Sequence, residues 1–486
     1  MDLNAPIFVA QQILLWPFWC IMELMQRLAE TYFQNWLHKT GRKPLVIRGA
    51  RQVGKSTLVR QAAEACGRVL YEVNLERHPE LQLVFKTMDP ARILREVELV
   101  VRKPPLDSAR GLLFLDEIQA APAAIAALRY LYEERPDVAV VAAGSLLEFA
   151  LSEHTFSMPV GRVDYYHLGP MTFGEFLAAA GQESLDQYLQ AYRSPADFSP
   201  VAHDRLMTLL RDYLFTGGMP EAVKSFTTEH NPELIGEIHR SILNTYRDDF
   251  AKYADKHQLQ RLRRVFEYVP ASVGKKFVYA QVNRDWKARE IRSAVDLLAQ
   301  AGIIHRVHHV SGAGIPLGAS AEDRVFKPLF LDVGLMNTAC GAAPLTLEQF
   351  QSQRFLHEGP LAEQFVGQHL LCSAGPTAKP ELHYWLREGK NANAEVDYVI
   401  QAGSRVVPVE VKAGASGSLR SLHQFAAAHE APLALRFDLN PPSVQRVQHS
   451  AVTPRGHQQV AFDLISLPLY QVEYAAGTTR AFVTTG

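Results

Sequence analysis

Cysteine is scarce in this chain, and neither sign of charge dominates it. Only four cysteines occur among 486 residues, and their spacing fits neither a disulfide framework nor a metal site. We therefore interpret them as small buried hydrophobes in a reducing compartment; they are Cys20, Cys66, Cys340 and Cys372. The formal net charge is −1, which excludes a chain that attracts nucleic acid over its whole surface. Any basic binding surface must be local.

Lys and Arg are absent before Arg27, although residues 5–24 are largely apolar and near the length of a membrane span. Secretory signals and membrane anchors normally carry basic flanks, and three residues interrupt this stretch, namely Gln11, Gln12 and Pro17. The favoured interpretation is translation from Met22 or Met25 into an ordinary amphipathic helix. Its apolar residues at helical spacing are Leu24, Leu28, Phe33, Trp36 and Leu37. A membrane-associated protein is the alternative that rests on this stretch alone.

A glycine-rich loop follows the first short apolar run of the chain. The run PLVIRG at 44–49 predicts a buried strand, and LVRQAAEAC after the loop has helical spacing. Strand, GxxxxGK[ST] and helix in this order predict a P-loop, whose glycines let successive N–H groups point at phosphate. The predicted nucleotide-binding residues are Gly49, Ala50, Arg51, Gln52, Val53, Gly54, Lys55, Ser56 and Thr57.

Two of these residues have separate predicted roles. Lys55 supplies positive charge to the β- and γ-phosphates of ATP, and Ser56 places a hydroxyl on Mg²⁺. The amino terminus of the following helix adds its partial positive charge. The sequence therefore predicts a core that binds ATP and Mg²⁺.

A second apolar run, GLLFLDEIQ at 111–119, ends in two adjacent acids. We predict that Asp116 holds the Mg²⁺ and that Glu117 polarises the attacking water. The pair favours hydrolysis of ATP over binding alone. The alternative is a solvated helix start, where acids are common for electrostatic reasons.

Seven motifs follow one another along the chain: RGARQVGKSTL, LDEIQ, AAGSLLEF, GR followed by LGPMTFGEFL, LFTGGMPEAV, EVDYVI and PVEVKAG. In this order they resemble a widespread prokaryotic family of AAA-type ATPases with a C-terminal domain of unknown function. The resemblance covers nearly everything after residue 25. It implies a cytoplasmic ATPase and does not imply what the ATP is used for.

Two further residues are candidates for contact with the γ-phosphate. By analogy with AAA-type ATPases, Ser145 at the end of the strand VAVVAAGS is a candidate sensor, and a helix N-cap is the alternative. Arg162 lies on the loop beyond and could reach a γ-phosphate in cis, or from a neighbouring subunit of a homo-oligomer. A surface arginine without contact to phosphate is the alternative for Arg162.

Residues 256–306 carry a local excess of positive charge. Four acids (Glu267, Asp285, Glu290 and Asp296) stand against eleven basic residues: Lys256, Arg261, Arg263, Arg264, Lys275, Lys276, Arg284, Lys287, Arg289, Arg292 and Arg306. A helix, the extended piece FVYAQV, a second helix and the strand IIHRVHHV give the order of a winged helix. Three of the basic residues, Lys287, Arg289 and Arg292, begin the second helix, where contacts with DNA or RNA usually originate. A solvated helix face in an assembly domain is the alternative.

The C-terminal part contains a predicted hairpin, AEVDYVI at 394–400 and RVVPVEVK at 405–412, joined by QAGS. The D…(D/E)xK arrangement resembles restriction-endonuclease-like folds, with an upstream acid on the preceding helix. The predicted nuclease residues are Glu363, Asp397, Glu410 and Lys412, with Asp397 and Glu410 as ligands of a second Mg²⁺. The alternative is a hairpin with alternating exposed charges, since this fold often loses catalysis and keeps binding.

These patterns together predict an α/β protein built around an AAA-type P-loop NTPase core. The predicted units are an N-terminal extension and helix at 1–40, the core at 41–170, a helical lid at 171–255, a winged-helix-like domain at 256–310 and a restriction-endonuclease-like domain at 323–470. The predicted function is a Mg²⁺-dependent ATPase coupled to nucleic-acid binding or processing. The alternative is an ATP-driven switch or interaction protein whose nuclease-like domain is non-catalytic.

Overall fold

The computed structural model describes most of the chain after Arg27. The described residues are 27–145, 147, 161–192, 198–252, 254–342, 346–352, 359–373, 375, 377–388, 393–413, 418–453, 456–477 and 479. The apolar stretch 5–24 and both candidate start methionines lie outside these ranges. None of the helices described is long and apolar enough to cross a membrane.

A five-stranded parallel sheet forms the first half of the fold. Its strands are β1 (Leu45–Arg48), β2 (Val69–Asn74), β3 (Gly111–Asp116), β4 (Ala139–Ala143) and β5 (Asp164–His167). They are ordered β2-β3-β4-β1-β5, and every neighbouring pair is parallel. The carboxyl ends of all five strands therefore share one edge, and β4 separates β1 from β3.

Helices cover this sheet, and the sequence of β3 shows why. Leu112 and Phe114 enter one buried cluster whereas Leu113 and Leu115 enter another, as expected for a strand buried on both faces. The helices of this half are α1 (Leu28–His38), α2 (Lys55–Ala65), α3 (Leu81–Phe85), α4 (Pro90–Val101) and α5 (Pro122–Glu134).

A helical segment follows, as predicted for residues 171–255. It contains α6 (Phe173–Ala179), α7 (Glu183–Ala191), α8 (Pro200–Thr216), α9 (Pro220–Lys224) and α10 (Pro232–Asp249). Between α8 and α9, a Cβ on Gly217 would lie 2.2 Å from Asp332 Oδ1, and one on Gly218 would lie 2.1 Å from the Met171 carbonyl oxygen. Close packing therefore requires glycine at both positions.

The basic segment folds as three helices and a hairpin. The elements are α11 (Lys256–Ser272), α12 (Tyr279–Val282), α13 (Ala288–Gln300), β6 (Ile304–His309) and β7 (Glu322–Phe330). The prediction of an extended FVYAQV was wrong, because part of it forms the short helix α12. Its aromatic and β-branched residues favour a strand, but packing of the buried Val282 overrides that local preference.

An eight-stranded mixed sheet forms the second half. It adds β8 (Leu382–Arg387), β9 (Ala394–Ala402), β10 (Arg405–Val411), β11 (Leu433–Asp438), β12 (Ser443–Thr453) and β13 (Gly456–Pro468). The order is β12-β13-β11-β10-β9-β8-β6-β7, so the hairpin of β6 and β7 belongs to this sheet. The sheet thus continues across the predicted boundary between 310 and 323. The antiparallel hairpin of β9 and β10 is confirmed.

Four more helices accompany this sheet: α14 (Val333–Asn337), α15 (Leu347–Ser352), α16 (Gly359–Ser373) and α17 (Arg420–His429). Apolar packing joins the two halves through the lid. The ring of Tyr213 in α8 lies 5.8 Å from that of Phe173 in α6 and 5.7 Å from that of Phe365 in α16. All three side chains belong to one buried cluster.

Candidate functional site

The phosphate-binding loop occupies the carboxyl edge of the first sheet. It runs from the end of β1 to the start of α2 at Lys55. Gly54 has a φ of 94°, and a Cβ on Gly49 would lie 2.1 Å from the Leu168 carbonyl oxygen. Both glycines of the motif are therefore required by the backbone path.

Lys55 is buried beneath this loop, with 8% of its surface exposed. Its Nζ donates hydrogen bonds to the carbonyl oxygens of Gly49 at 3.0 Å and Ala50 at 2.8 Å. Burial lowers the pKa of Lys55 to about 8, and the carboxylates of Glu117 and Asp116 oppose that shift only in part. The ammonium group thus has neutral partners that phosphate oxygens can replace.

Ser56 and Asp116 are brought together as the sequence predicted. The Ser56 hydroxyl lies 3.1 Å from each carboxylate oxygen of Asp116, which ends β3. Burial raises the pKa of Asp116, and the neighbouring charge of Glu117 raises it further. A hydroxyl and a carboxylate are hard oxygen donors of the kind that Mg²⁺ prefers, so these residues fit the predicted ion.

Glu117 follows Asp116 directly and is held by a residue that the sequence did not single out. Its backbone is left-handed, with a φ of 51°, and its Oε2 accepts a hydrogen bond of 2.6 Å from Gln119 Nε2. The amide of Gln119 lies against Gly144, where a Cβ would be 2.1 Å from Gln119 Oε1. A fixed amide thus orients the predicted catalytic carboxylate.

Ser145 lies at the same edge of the sheet, directly beyond β4 and 7% exposed. Because β4 lies between β1 and β3, its end is flanked by the phosphate loop and by Asp116. The alternative role as a helix N-cap concerns the segment LLEFAL, most of which lies outside the described residues.

Arg162 lies elsewhere, at the amino edge of the sheet. It precedes β5, whose first residue Asp164 is opposite Leu45, the first residue of β1. Its Nε donates to Glu133 Oε1 at 3.1 Å on the protein surface. Four residues of strand separate it from the phosphate loop, roughly 13 Å along the sheet. The structure does not bring Arg162 to the loop of its own chain; a role in a neighbouring subunit stays a prediction.

Arg51 of the loop has a partner that sequence analysis missed. It forms an ion pair with Asp249, the last residue of α10, and Lys252 lies 3.2 Å from the same carboxylate. The Tyr246 hydroxyl donates to the carbonyl oxygen of Arg51 at 2.8 Å. The end of α10 is therefore fastened to the loop, although no local signal links residues 198 positions apart.

The end of α13 lies near the loop. Gly302 has a φ of 70°, and a Cβ there would lie 3.4 Å from the Ala50 backbone nitrogen and 3.5 Å from the Ala50 Cβ, so a space of about one methyl group separates the two. The helix that begins with the basic residues Lys287 and Arg289 therefore ends close to the phosphate loop.

The basic segment presents several charged side chains to solvent. Lys287 and Arg289 are exposed and Arg292 is half-buried. Ion pairs involve four others of the eleven: Arg261 with Glu290, Arg264 with Glu267, Lys276 with Glu388 and Arg306 with Asp296. Within the described ranges, Lys287, Arg289 and Arg292 form no ion pair, so their charge is available to an anionic partner.

The predicted nuclease residues come together on the second sheet. Val409 pairs with Tyr398, so Glu410 and Asp397 stand opposite each other at the next position of the hairpin. Glu410 forms an ion pair with Lys412, and Asp397 Oδ2 accepts a hydrogen bond of 2.7 Å from the Val411 amide. Glu363 projects from α16 toward the same cluster.

Lys327 of β7 lies at the centre of this cluster and was missed. Its Nζ is 3.1 Å from Glu363 Oε2, 2.9 Å from Glu395 Oε1 and 3.8 Å from Asp397 Oδ1. The side chain is 2% exposed. A lysine inside the apolar run VFKPLFL was the available signal, because an ammonium group is rarely buried without a carboxylate partner.

The cluster holds two lysines and four carboxyl groups, which shift one another's pKa values. Burial lowers the pKa of Lys327, but the carboxylates of Glu363, Asp397 and Glu395 together raise it well above its ordinary value. Burial raises the pKa of Glu363 and of Glu410. Among the residues that the structure describes, no group of three His, Cys, Asp or Glu side chains is arranged to hold a metal ion. The Mg²⁺ site predicted at Asp397 and Glu410 stays a prediction.

Three family models match successive parts of the chain. Residues 41–177 match an AAA domain, residues 207–346 match a domain of unknown function (DUF8612), and residues 358–461 match another (DUF4143). No curated protein matches the sequence.

Solved structures share only a distant likeness with the chain. The Walker-type ATPase PABY2304 of Pyrococcus abyssi is 12% identical with a TM-score of 0.39, over 65% of this chain and 96% of that one. The ORC2 protein of Aeropyrum pernix, in complexes with ADPNP and ADP, is 13% identical with a TM-score of 0.34, over 65% and 92%. The Holliday junction branch migration motor RuvB of Thermotoga maritima is 16% identical with a TM-score of 0.28, over 59% and 91%. TM-scores this low do not establish a shared fold.

The family match and the geometry of the first sheet agree on the amino-terminal half. The matched range 41–177 contains all five parallel strands, the phosphate loop, the Ser56–Asp116 contact and Glu117. The AAA-type core predicted from the sequence agrees with this match. Residues 41–177 of the chain therefore form an AAA domain with a P-loop.

Proposed function

We propose that the protein is a Mg²⁺-dependent ATPase whose nucleotide state is coupled to nucleic-acid binding. The observation that carries the ATPase proposal is the arrangement of Lys55, Ser56 and Asp116 at one sheet edge. Lys55 is hydrogen-bonded to two neutral carbonyl oxygens, and Ser56 faces Asp116. Lys55 thus places a cation where phosphate can bind, and Ser56 and Asp116 place oxygen donors for a metal ion beside it.

Each residue of the site has one task in the proposed reaction. Lys55 binds the β- and γ-phosphates, and Ser56 and Asp116 hold Mg²⁺, which neutralises charge on the phosphates when bound. Glu117 accepts a hydrogen bond from the attacking water, with Gln119 fixing the direction of its carboxylate. Ser145, at the neighbouring strand end, senses the γ-phosphate.

The coupling proposal rests on two neighbours of the phosphate loop. Arg51 binds Asp249 at the end of α10, and Gly302 beyond the end of α13 faces Ala50 with room for one Cβ between them. A phosphate that draws on Arg51 competes with Asp249, and a displacement of Ala50 that closes this gap is passed on to α13. We propose that Lys287, Arg289 and Arg292 at the other end of α13 contact DNA or RNA in a winged-helix-like arrangement with the hairpin of β6 and β7.

The C-terminal sheet supports a restriction-endonuclease-like fold as a further part of the proposal. The order of elements agrees with it: Glu363 on a helix, Asp397 on the first strand of a hairpin, and Glu410 with Lys412 on or beside the second. Of the two functions predicted for this domain, we propose the non-catalytic one. The observation that favours it is the position of Lys327 among the carboxylates.

An ATPase assay with and without single- and double-stranded DNA and RNA tests the function directly. We expect Glu117→Gln to keep ATP binding and to lower turnover by about 100-fold or more, because it removes the group that activates water. Glu134→Gln, an exposed carboxylate at the end of α5, is the matched control and should hydrolyse ATP normally. Normal hydrolysis by Glu117→Gln would contradict the assignment.

The nucleic-acid part has its own test in the salt dependence of binding. Neutralising Lys287, Arg289 and Arg292 together should reduce the slope of log affinity against log salt by about two to three units. The control replaces three exposed basic residues of the first half, Arg77, Lys86 and Arg92, for the same change in net charge. If both triple variants give the wild-type slope, nucleic acid does not bind at α13.

A further inference from the structure

The carboxylate cluster of the second sheet contains its own cation. Lys327 reaches it from β7, whereas its partners come from α16 and β9, so three separate elements converge on one ammonium group. Two of the Nζ hydrogen bonds go to Glu363 and Glu395, and Asp397 lies at ion-pair distance. An ammonium group has three N–H donors, and three carboxylates face them.

Aromatic rings confine this ammonium group. Its Nζ lies 5.3 Å from the ring centroid of Tyr384 and 5.7 Å from that of Tyr398. Both tyrosine rings are buried, and they add cation–π attraction to the ion pairs. Moving Lys327 out of the cluster would therefore break several favourable contacts and leave partly buried carboxylates without a partner.

One oxygen of each carboxyl group is already used. Glu363 Oε2 and Glu395 Oε1 accept from Lys327, Asp397 Oδ2 accepts from the Val411 amide, and Glu410 Oε1 binds Lys412. Of the two predicted metal ligands, Glu410 keeps a buried Oε2 without a hydrogen-bond partner among the described residues, and Asp397 Oδ1 lies 3.8 Å from the Lys327 ammonium group, which repels a second cation there. Mg²⁺ requires oxygens at about 2.0–2.1 Å in nearly octahedral array, which the ammonium group prevents.

We infer that Lys327 is the resident cation of this cluster and takes the place that a divalent metal would have. Glu363, Glu395 and Asp397 are then ligands of an ammonium group. Asp397 does not support metal-dependent cleavage in the wild-type protein. The inference concerns the C-terminal domain alone and is independent of the ATPase proposal.

Metal binding by the full chain tests this inference. Tb³⁺ luminescence excited through tyrosine reports an ion close to Tyr384 and Tyr398, and Asp397→Asn removes only the cluster's contribution. We expect identical Tb³⁺ and Mn²⁺ titrations for the wild type and Asp397→Asn. A loss of about one bound ion per chain in Asp397→Asn, or plasmid cleavage in Mn²⁺ that Asp397→Asn abolishes, would overturn the inference.

Removing the lysine gives the complementary test. Lys327→Met should gain one Tb³⁺ or Mn²⁺ ion per chain, and Asp397→Asn in the same background should remove it again. The midpoint of thermal unfolding of Lys327→Met should rise when Mn²⁺ is added, whereas that of the control Lys327→Arg should not. A folded Lys327→Met that gains no ion dependent on Asp397 would contradict the inference. Should Lys327→Met fail to fold, the comparison of wild type with Asp397→Asn still decides.

Discussion

Lys55 and Lys327 are two buried lysines close to carboxylates, and they are held in opposite ways. Lys55 donates to backbone carbonyls, while Asp116 and Glu117 act on it only at longer range. Lys327 donates to carboxylates directly. Accordingly the pKa of Lys55 lies below its ordinary value and that of Lys327 lies above it. The neutral partners of Lys55 can be replaced by an anionic ligand. The carboxylates around Lys327 already neutralise its charge, so they leave it no reason to bind a further anion.

The largest change in stability should come from removing Lys327, whose partners are carboxylates. Lys327→Met leaves partly buried carboxylates without their cation, and the loss of unfolding free energy should approach, from below, the roughly 3–5 kcal/mol typical of breaking a fully buried ion pair. Urea denaturation followed by circular dichroism measures the loss. Adding Glu363→Gln and Glu395→Gln to Lys327→Met should recover part of it, because the stranded charges are removed. A stability equal to that of the wild type would show that Lys327 is not an essential counterion.

Replacing Lys55, whose partners are carbonyl oxygens, should lower ATP turnover strongly and change stability less than replacing Lys327 does. Lys55→Met deletes the positive charge at the phosphates, and we expect ATP turnover to fall by about 100-fold or more. Its unfolding midpoint in urea should stay closer to that of the wild type than the midpoint of Lys327→Met does, since the groups that lose their donor are two neutral carbonyl oxygens and not carboxylates. A loss of unfolding free energy as large as that of Lys327→Met would contradict the proposed difference between the two lysines.

The pH dependence of ATP binding sharpens the same comparison. Because burial lowers the pKa of Lys55 to about 8, the free protein loses this charge as pH rises through that value. ATP affinity should therefore be retained below pH 8 and fall by up to about tenfold per pH unit above it. Titrations of a fluorescent ATP analogue from pH 7 to pH 9.5 measure this. Lys55→Arg should show no such decline, and a wild-type affinity constant over the range would contradict the assignment.

Arg51 gives the smallest expected effect, because its ion pair with Asp249 is partly exposed. The Arg51 side chain is 28% exposed and that of Asp249 is 10% exposed. Asp249→Asn should lower the unfolding free energy by about 0.5–1 kcal/mol, between the values typical of surface and buried pairs. Asp248→Asn changes an exposed neighbour and serves as the control in the same urea experiment. Equal changes in unfolding free energy for the two substitutions would show that the ion pair of Arg51 and Asp249 does not stabilise the fold.

Local patterns predicted most of the fold. The strand, glycine-rich loop and helix around Lys55 are contiguous, as are β3 with its two acids and the hairpin of β9 and β10. In each case the residues that define the element are within one turn or strand of one another, so hydrophobic period and turn chemistry are sufficient.

Contacts between distant parts of the chain could not be predicted. Lys327 meets Glu395 across 68 residues, and Arg51 meets Asp249 across 198. Arg162 was a candidate for contact with a γ-phosphate in cis or in a neighbouring subunit, with a surface arginine as the alternative. It precedes β5 and therefore lies at the amino edge of the sheet, opposite the phosphate loop of its own chain. Such placements depend on strand order and tertiary packing, which single-sequence periodicity does not encode.

The absence of a side chain at Gly302 leaves room for about one methyl group between the phosphate loop and the end of α13. A Cβ at this position would lie 3.4–3.6 Å from atoms of Ala50, which is ordinary van der Waals separation, so the glycine leaves that space empty. The loop can therefore move a short way toward α13 before the two segments meet. Only a larger displacement of the loop during the nucleotide cycle would be passed on to the helix.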